Sequence, residues 1–534
     1  MHNKLAALAR IAPLLADPAN LREFVTRWYW PADLIESLLD GAERSRSADA
    51  SEATATGRRS MRATMVPSVL SVASIAVLPF TDLSEKKDHD WFCDGVAEEI
   101  LNALSPLPGL RVAARASAFS LRGKVDDLRA IGEKLAVTTV LTGSVRRSGD
   151  RVRITAQLSD AQQGQQLWSE RFDRELKDIF DVQDEIARAI VERLKVTFDS
   201  TARLVPTATA SVEAYELLLK GRVLLMRRGP AIMSALPYCE QAIAIDPGLA
   251  EAHAMLGDTH RLMALYGLRP AAEVMPLARA SAERALAIDP NQVEALATLA
   301  NISAIYDWNL EATAALSSRA LACAPSHVRT LAERAIAYAV IKAPSDELRT
   351  AVLADIGKAR ALDPLNAWVM AIEAFCLASL ESPEAGVAAA RRAVATDEGN
   401  FTARWALVST LAMSGRDDEA REAAVPALAM SGRHPRMLSE LAGLHADHGE
   451  HEAAEAIHAE LTSRSRTAFV GYGERAIAAA WAGHLDEARR LLALAIAGRE
   501  PYLTFWRLPV WRAIREDAEC AALLRGTTLL PPGS

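Results

Sequence analysis

Apolar positions divide the chain into two regimes. From 74 to about 197 their spacing changes from segment to segment, and from about 211 onward it is helical. In the first regime "SIAVLPF" (74–80) has the density of a buried strand. "DWFCDGVAEEILNAL" (90–104) places apolar residues at 92, 96, 100, 101 and 104, the spacing of one helix face. "LRVAA" predicts a short strand, and "VDDLRAIGEKLAV" a second helix with Leu128, Ile131 and Leu135 inward. Three strands follow, "TVLTGSVRRSG", "DRVRITAQLSDA" and "QQLWSERFDR". In the middle one Val152, Ile154, Ala156 and Leu158 alternate with Arg151, Arg153, Thr155 and Gln157, so one sheet face is buried and one is wet. "SGD" and "QQGQ" supply the hairpin turns. A last helix carries Ile179, Val182, Ile186, Ile190 and Leu194 on one stripe. The predicted order is βαβαβββα, an α+β domain over 74–197.

The second regime repeats. "AIAIDP" (242–247), "ALAIDP" (285–290), "ALACAP" (320–325) and "ARALDP" (359–364) share a frame that decays into "AVATDE" (393–398) and "ALAMSG" (427–432). The shared last position advances by 43, 35, 39, 34 and 34 residues. "GRDDEA", "GEHEAA" and "GHLDEA" begin at Gly415, Gly449 and Gly483, again in steps of 34. That spacing suits two helices joined by a short turn. Glycine reverses the chain after the first helix, a small Ala420, Ala454 or Ala488 lets the second helix approach, and Asp-Pro ends the unit. One such hairpin cannot bury its apolar face, so neighbours stack into a solenoid.

These repeats resemble the tetratricopeptide family, with Leu256-Gly257, Ala420, Ala427, Ala454, Ala488, Ala495, Pro247 and Pro290 at the family's small-residue and proline places. About eight repeats are expected over 211–500, followed by an aromatic cap and tail over 501–534. The resemblance implies a concave groove lined by the first helices. It selects Glu251, Asp258, Arg261, Glu294, Asn301, Thr402, Trp405, Arg436 and Val470. The groove is mixed in character early and more apolar late, which suits an amphipathic helix or an extended protein segment.

The blocks "IAVLPF", "DWFCDGVAEEILNAL", "LTGSV", "DRVRITAQLSDAQQGQQLWSERFDR" and "DIFDVQDEIARAIVERL" resemble a TolB-like N-terminal domain. That resemblance implies regulation and protein contact, with no chemistry assigned. Related bacterial chains carry a class III adenylyl cyclase or a winged-helix DNA-binding domain upstream. Here about 70 residues precede the domain. They read as a helical segment over 1–45 and a flexible linker over 46–73.

The remaining features narrow the functional classes. Net charge is −8 with both signs interspersed, which argues against a nucleic-acid partner. Five dispersed cysteines fit a reducing compartment. A phosphate loop needs glycine after the first strand, and "PFTDLSEKKDHDWF" has none. The lone G-x-G of "VGYGERA" follows no strand, and Ser144 has no partner histidine nearby in sequence. Arg146, Arg147, Arg151 and Arg153 read as solvated, with Trp168 and Phe172 inward. His445, His448, His451 and His458 read as helix-surface groups. No catalytic residue, metal or cofactor is expected. The expected function is a cytoplasmic, non-enzymatic scaffold or regulator that binds a protein partner or peptide segment. The alternative is a membrane-tethered signalling or transcription-regulatory subunit related to adenylyl cyclase–repeat proteins. It would use 63–80 as the span, with the large domains in the periplasm.

Overall fold

The computed structural model describes residues 73–529 except 123–126, 197–203, 206–208, 210, 230 and 342–344. The helices expected over 1–45 and the linker up to 72 lie outside the described residues. So does the first half of the 63–80 apolar stretch. Its second half is a buried strand, with Ile75, Ala76 and Val77 fully enclosed. Among the described residues no helix is long and apolar enough to cross a membrane.

The mixed-period region folds as one sheet with helices against it. Strands β1 (Ala73–Val77), β2 (Thr81–Asp82), β3 (Leu110–Val112), β4 (Thr139–Ser148), β5 (Arg151–Asp160) and β6 (Gln166–Glu175) are joined by helices α1 (Asp90–Leu104), α2 (Arg115–Phe119) and α3 (Leu128–Leu135). Helix α4 (Ile179–Arg193) follows. The sheet order is β3-β1-β4-β5-β6, with β2 paired to β4. β1 is parallel to β3 and β4, and β4-β5-β6 is an antiparallel meander. The two-residue β2 and the short α2 add to the expected order. Alternation along β1 sends Ile75 and Val77 into a core with α1 and α4, and Ala76 into a smaller core with α3. Trp168 and Phe172 are buried, as the alternation required.

Two close approaches tie the sequence blocks together. A Cβ on Gly143, in "LTGSV", would lie 2.6 Å from the ring of Phe80, so only glycine lets the "IAVLPF" block lie flat on β4. The loop after β1 satisfies itself: the Asp82 carboxylate accepts from the N–H of Ser84 and of His89, each at 2.8 Å. Those bonds outweigh burial and hold the Asp82 carboxyl below its ordinary range.

The rest is a stack of helical hairpins: α5 (Val212–Arg227) with α6 (Ala231–Ile245), α7 (Ala250–Leu265) with α8 (Ala271–Ile288), α9 (Val293–Ile305) with α10 (Leu310–Cys323), and α11 (Val328–Ile341) with α12 (Asp346–Leu362). It continues with α13 (Ala367–Leu380) and α14 (Pro383–Thr396), α15 (Phe401–Met413) and α16 (Asp417–Met430), α17 (Pro435–Asp447) and α18 (His451–Arg464), then α19 (Tyr472–Trp481) and α20 (Leu485–Ala497). Gly415, Gly449 and Gly483 have φ of +68°, +75° and +88°, the left-handed conformation that the repeat register demanded. Ala420, Ala454 and Ala488 are fully buried. Asparagine and serine caps start many of the helices, as Asn400 does for α15 and Ser382 for α14. First helices pack on one another from hairpin to hairpin, which places them on the inner side of the curve. The fold class is therefore an α+β domain followed by an all-α solenoid of tetratricopeptide type.

The two parts share a core. Tyr215 and Leu219 of α5 are buried in the α+β domain's main cluster, and a Cβ on Gly95 would sit 2.4 Å from the Leu219 side chain. Arg222 bridges Glu99 at 2.8 Å and Glu251 at 2.6 Å.

The last segment does more than cover the final repeat. After α20 the chain turns through short helices at Pro501–Phe505 and Pro509–Trp511, then α21 (Arg512–Glu516) and α22 (Ala518–Arg525). Tyr502, Leu503, Trp511, Ile514 and Cys520 are buried against α19 and α20 in the terminal core. Phe505 instead reaches inward and packs on both the early and the late hydrophobic clusters.

Candidate functional site

The inner face carries two zones. The first is an ion-pair lattice spread over three successive first helices. Arg261 of α7 bonds Asp258 at 2.7 Å and Asn301 of α9 at 2.8 Å, and lies 3.4 Å from Glu333 of α11. Arg329 of α11 reaches Asp258 and Glu294, both at 2.7 Å, Glu333 at 3.2 Å and the Thr298 hydroxyl at 3.2 Å. His327 Nε2 sits 3.0 Å from Glu294. Burial alone would raise the Asp258 carboxyl, but Arg261 and Arg329 outweigh it and hold it below its usual range. The lattice joins repeats that stack only through neighbours, and Glu294 keeps half its side chain exposed to the hollow.

The second zone is aromatic. Phe375 of α13 and Trp405 of α15 lie 4.7 Å apart, and the Phe505 ring sits 5.7 Å from the first and 4.9 Å from the second. Arg436 of α17 stacks its guanidinium 5.0 Å from Trp405 and 4.4 Å from Tyr502. Glu440 accepts from Trp405 Nε1 and the Ser409 hydroxyl, both at 3.0 Å, and from the Tyr502 hydroxyl at 3.3 Å. Burial holds this carboxyl above its ordinary range despite those donors.

Early and late repeats meet around this zone. Arg436 donates to the Leu265 carbonyl and His434 Nε2 to the Tyr266 carbonyl, both at 3.1 Å. His434 Nδ1 accepts from the Arg436 backbone N–H, which fixes the neutral tautomer. Burial, with Arg436 beside it, pushes that imidazole down to about 3, consistent with the same tautomer. Arg499 donates to the carbonyls of Tyr306 and Asp307 at 3.3 Å. The Glu500 carboxylate takes the N–H groups of Tyr472 and Gly473 at 2.8 and 2.7 Å, so the G-x-G of "VGYGERA" opens a helix N-terminus filled by the chain's own acid.

Of the nine residues selected for the groove, eight lie on first helices, and Val470 lies just before α19. The structure joins Asp258, Arg261, Glu294 and Asn301 in one lattice, places Trp405 and Arg436 in the aromatic zone, and pairs Glu251 with Arg222. Arg261, Asn301, Trp405 and Arg436 are buried by the chain itself. Sequence reasoning missed His327, Arg329, Glu333 and Phe375, which the same repeat register could have supplied. It also missed Tyr502 and Phe505, whose only signal was an aromatic tail. His458 is a correction: it was expected on a helix surface, yet α18 buries it against α20.

Residues 71–189 match the family model for the second domain of HilA/YgeH-like transcriptional regulators. A Rhizobium meliloti (strain 1021) protein named "Putative adenylate cyclase 3" is 42% identical over 193 residues, 36% of this chain. The chain spans about a third of the length of that curated relative. A tetratricopeptide repeat protein from Parabacteroides merdae ATCC 43184 is similar at 12% identity, covering 52% of this chain and 99% of that one, with a TM-score of 0.35. TolB from Acinetobacter baumannii aligns at 18% identity over 23% of this chain and 28% of its own, with a TM-score of 0.19. Both structural likenesses are distant, and the fold stands on the helical register and packing described above. A repeat-containing chain with a regulator-type domain is the coarse description these findings support.

Proposed function

We propose that this chain is a non-enzymatic regulatory scaffold that binds a segment of a partner protein along the inner face of its solenoid. The supporting observation is the seating of its own Phe505. An aromatic residue from a short, irregular segment enters the hollow and is gripped by Phe375, Trp405 and residues of the early repeats. A partner segment with an aromatic anchor and flanking charge would use the same socket and the lattice beside it. The α+β domain, which we read as TolB-like, would present a further surface to the same regulatory assembly.

The test uses the full chain in its host, with a photoreactive side chain replacing Glu294 in the hollow or Val425, which is 66% exposed on a second helix. Adducts from position 294 that are absent from position 425, and that increase when Phe505→Ala empties the socket, support the reading. Equal adducts from both positions overturn it.

A second reading is favoured by the likeness of 71–189 to a transcription-regulator domain and by the cyclase-named relative. In it the chain conditions an effector, a cyclase or a DNA-binding protein, by docking onto it. Altered cyclic-nucleotide level or transcription on deletion of the chain would separate this role from a passive scaffold.

A further inference from the structure

Two sequence fragments one repeat apart, Glu455-x-x-His458 and His484-x-x-Glu487, are brought face to face. Glu455 and His458 lie on α18. His484 caps α20, and Glu487 is in its first turn. Spacing of three puts each pair on one helix face. His484 Nε2 is 2.6 Å from Glu455 Oε2, His458 Nε2 is 3.3 Å from Glu487 Oε2, and His458 Nδ1 is 3.8 Å from Glu455 Oε1. The two imidazole centroids are 4.7 Å apart. One ligand atom each from Glu455, His458 and His484 falls within 4.8 Å of the others.

His458 makes this more than a surface ion pair. It is 8% exposed, and its ring nitrogens face only carboxylates, Glu487 at 3.3 Å and Glu455 at 3.8 Å, neither in good hydrogen-bond geometry. A buried imidazole without a well-directed acceptor is costly, and this one is aimed into a cluster of carboxylates. Arg475 and Arg490 approach Glu487 through Oε1, at 3.9 and 3.7 Å, which leaves Oε2 turned toward His458. Tetrahedral bonds of about 2.0–2.2 Å place neighbouring ligand atoms roughly 3.4 Å apart. The observed separations of 2.6 to 3.8 Å bracket that spacing.

We propose that Glu455, His458 and His484 bind one divalent transition-metal ion, with Glu487 beside the His458 ring nitrogen that the ion leaves free, as an outer-shell carboxylate. Two imidazoles with one carboxylate suit zinc, cobalt or nickel rather than calcium or magnesium, which take oxygen ligands. The ion would cross-link the second helices of the last two hairpins. It would stiffen the end of the array from which the Phe505 segment departs.

Untagged full-length protein, stripped with chelator, is titrated with zinc chloride alone by calorimetry. Cobalt chloride replaces zinc in a parallel visible-absorption measurement. One ion per chain is expected, with a zinc-dependent rise in melting temperature. His484→Ala and Glu455→Gln alter side chains that are 45% and 51% exposed, so both fold. Each should weaken binding at least about tenfold, the scale at which even outer-shell partners act. His451→Ala, an exposed histidine on the same helix, should leave binding within about twofold. Absence of saturable binding overturns the proposal, and so does binding that both His484→Ala and Glu455→Gln leave intact.

Discussion

Ser117 and Asp363 are 246 residues apart in sequence and share one buried contact. The Ser117 backbone N–H donates to Asp363 Oδ1 at 2.9 Å, its hydroxyl donates to the same oxygen, and the Leu365 N–H donates to Ser117 Oγ at 2.8 Å. Burial holds the Asp363 carboxyl above its ordinary range. Through this contact α2 is clamped onto the turn between α12 and α13, far from the α5 junction. Asp363→Ala leaves buried donors unmet and should cost about 1–3 kcal/mol. Denaturant titration measures the loss, and faster amide exchange at Ser117 locates it. Unchanged exchange there would mean that the clamp contributes nothing to docking.

Arg329 holds three carboxylates from three helices. Arg329→Met should destabilise the fold by about 1–3 kcal/mol, because Asp258 and Glu333 are left to share Arg261 and Glu294 keeps only His327. Arg391→Met removes a surface pair with Glu419 and should cost under about 1 kcal/mol. Equal losses in the two variants, read by thermal unfolding, would refute the lattice as a structural element.

Phe505 is half-buried, so its removal should cost less than the 3–5 kcal/mol range of a core phenylalanine, about 2–3 kcal/mol. The distinctive outcome is local. Phe505→Ala should raise protease sensitivity around 505–507, between the buried Leu503 and Leu508, while the hairpins stay protected. Simultaneous cleavage throughout the array would contradict a local role for the Phe505 contact.

Glu500 sets a pH dependence. Burial, with Glu474 beside it, pushes its carboxyl from an ordinary 4.5 up to about 7 in the folded chain. Between those values the folded state keeps a proton that the unfolded state releases. The stability this group contributes is complete below about 4.5 and is lost as pH rises through about 7. The slope is at most about 1.4 kcal/mol per pH unit. Glu500→Gln should flatten the profile in that window, measured as wild type minus variant so that other carboxylates cancel. A difference that does not vary with pH would refute it.

Local periodicity made the strands, the hairpins and the left-handed glycines legible, since each depends on residues within one turn or one repeat. Gly449 is an example: its φ of +75° follows from the need to reverse the chain after α17. The inner-face positions were legible for the same reason. Their burial was not. Whether Trp405 is open or covered depends on curvature summed over many repeats, which brings Phe505 to Phe375, 130 residues earlier in sequence. The His458–His484 contact escaped for a related reason: it joins successive hairpins, whereas sequence groups His458 with His445, His448 and His451 of its own hairpin. The α5 junction escaped too, since nothing in "VEAYELLLKGRVLLMR" distinguishes a repeat helix from one that also completes another domain's core.

The bonds from Arg436 and His434 to the carbonyls of Leu265 and Tyr266 have a mechanical consequence. Open repeat arrays lengthen under load like springs, each joint yielding a little. Here two distant coils are latched together, so a pulling force meets the latch first. The molecule should stay rigid up to a threshold and then give way abruptly.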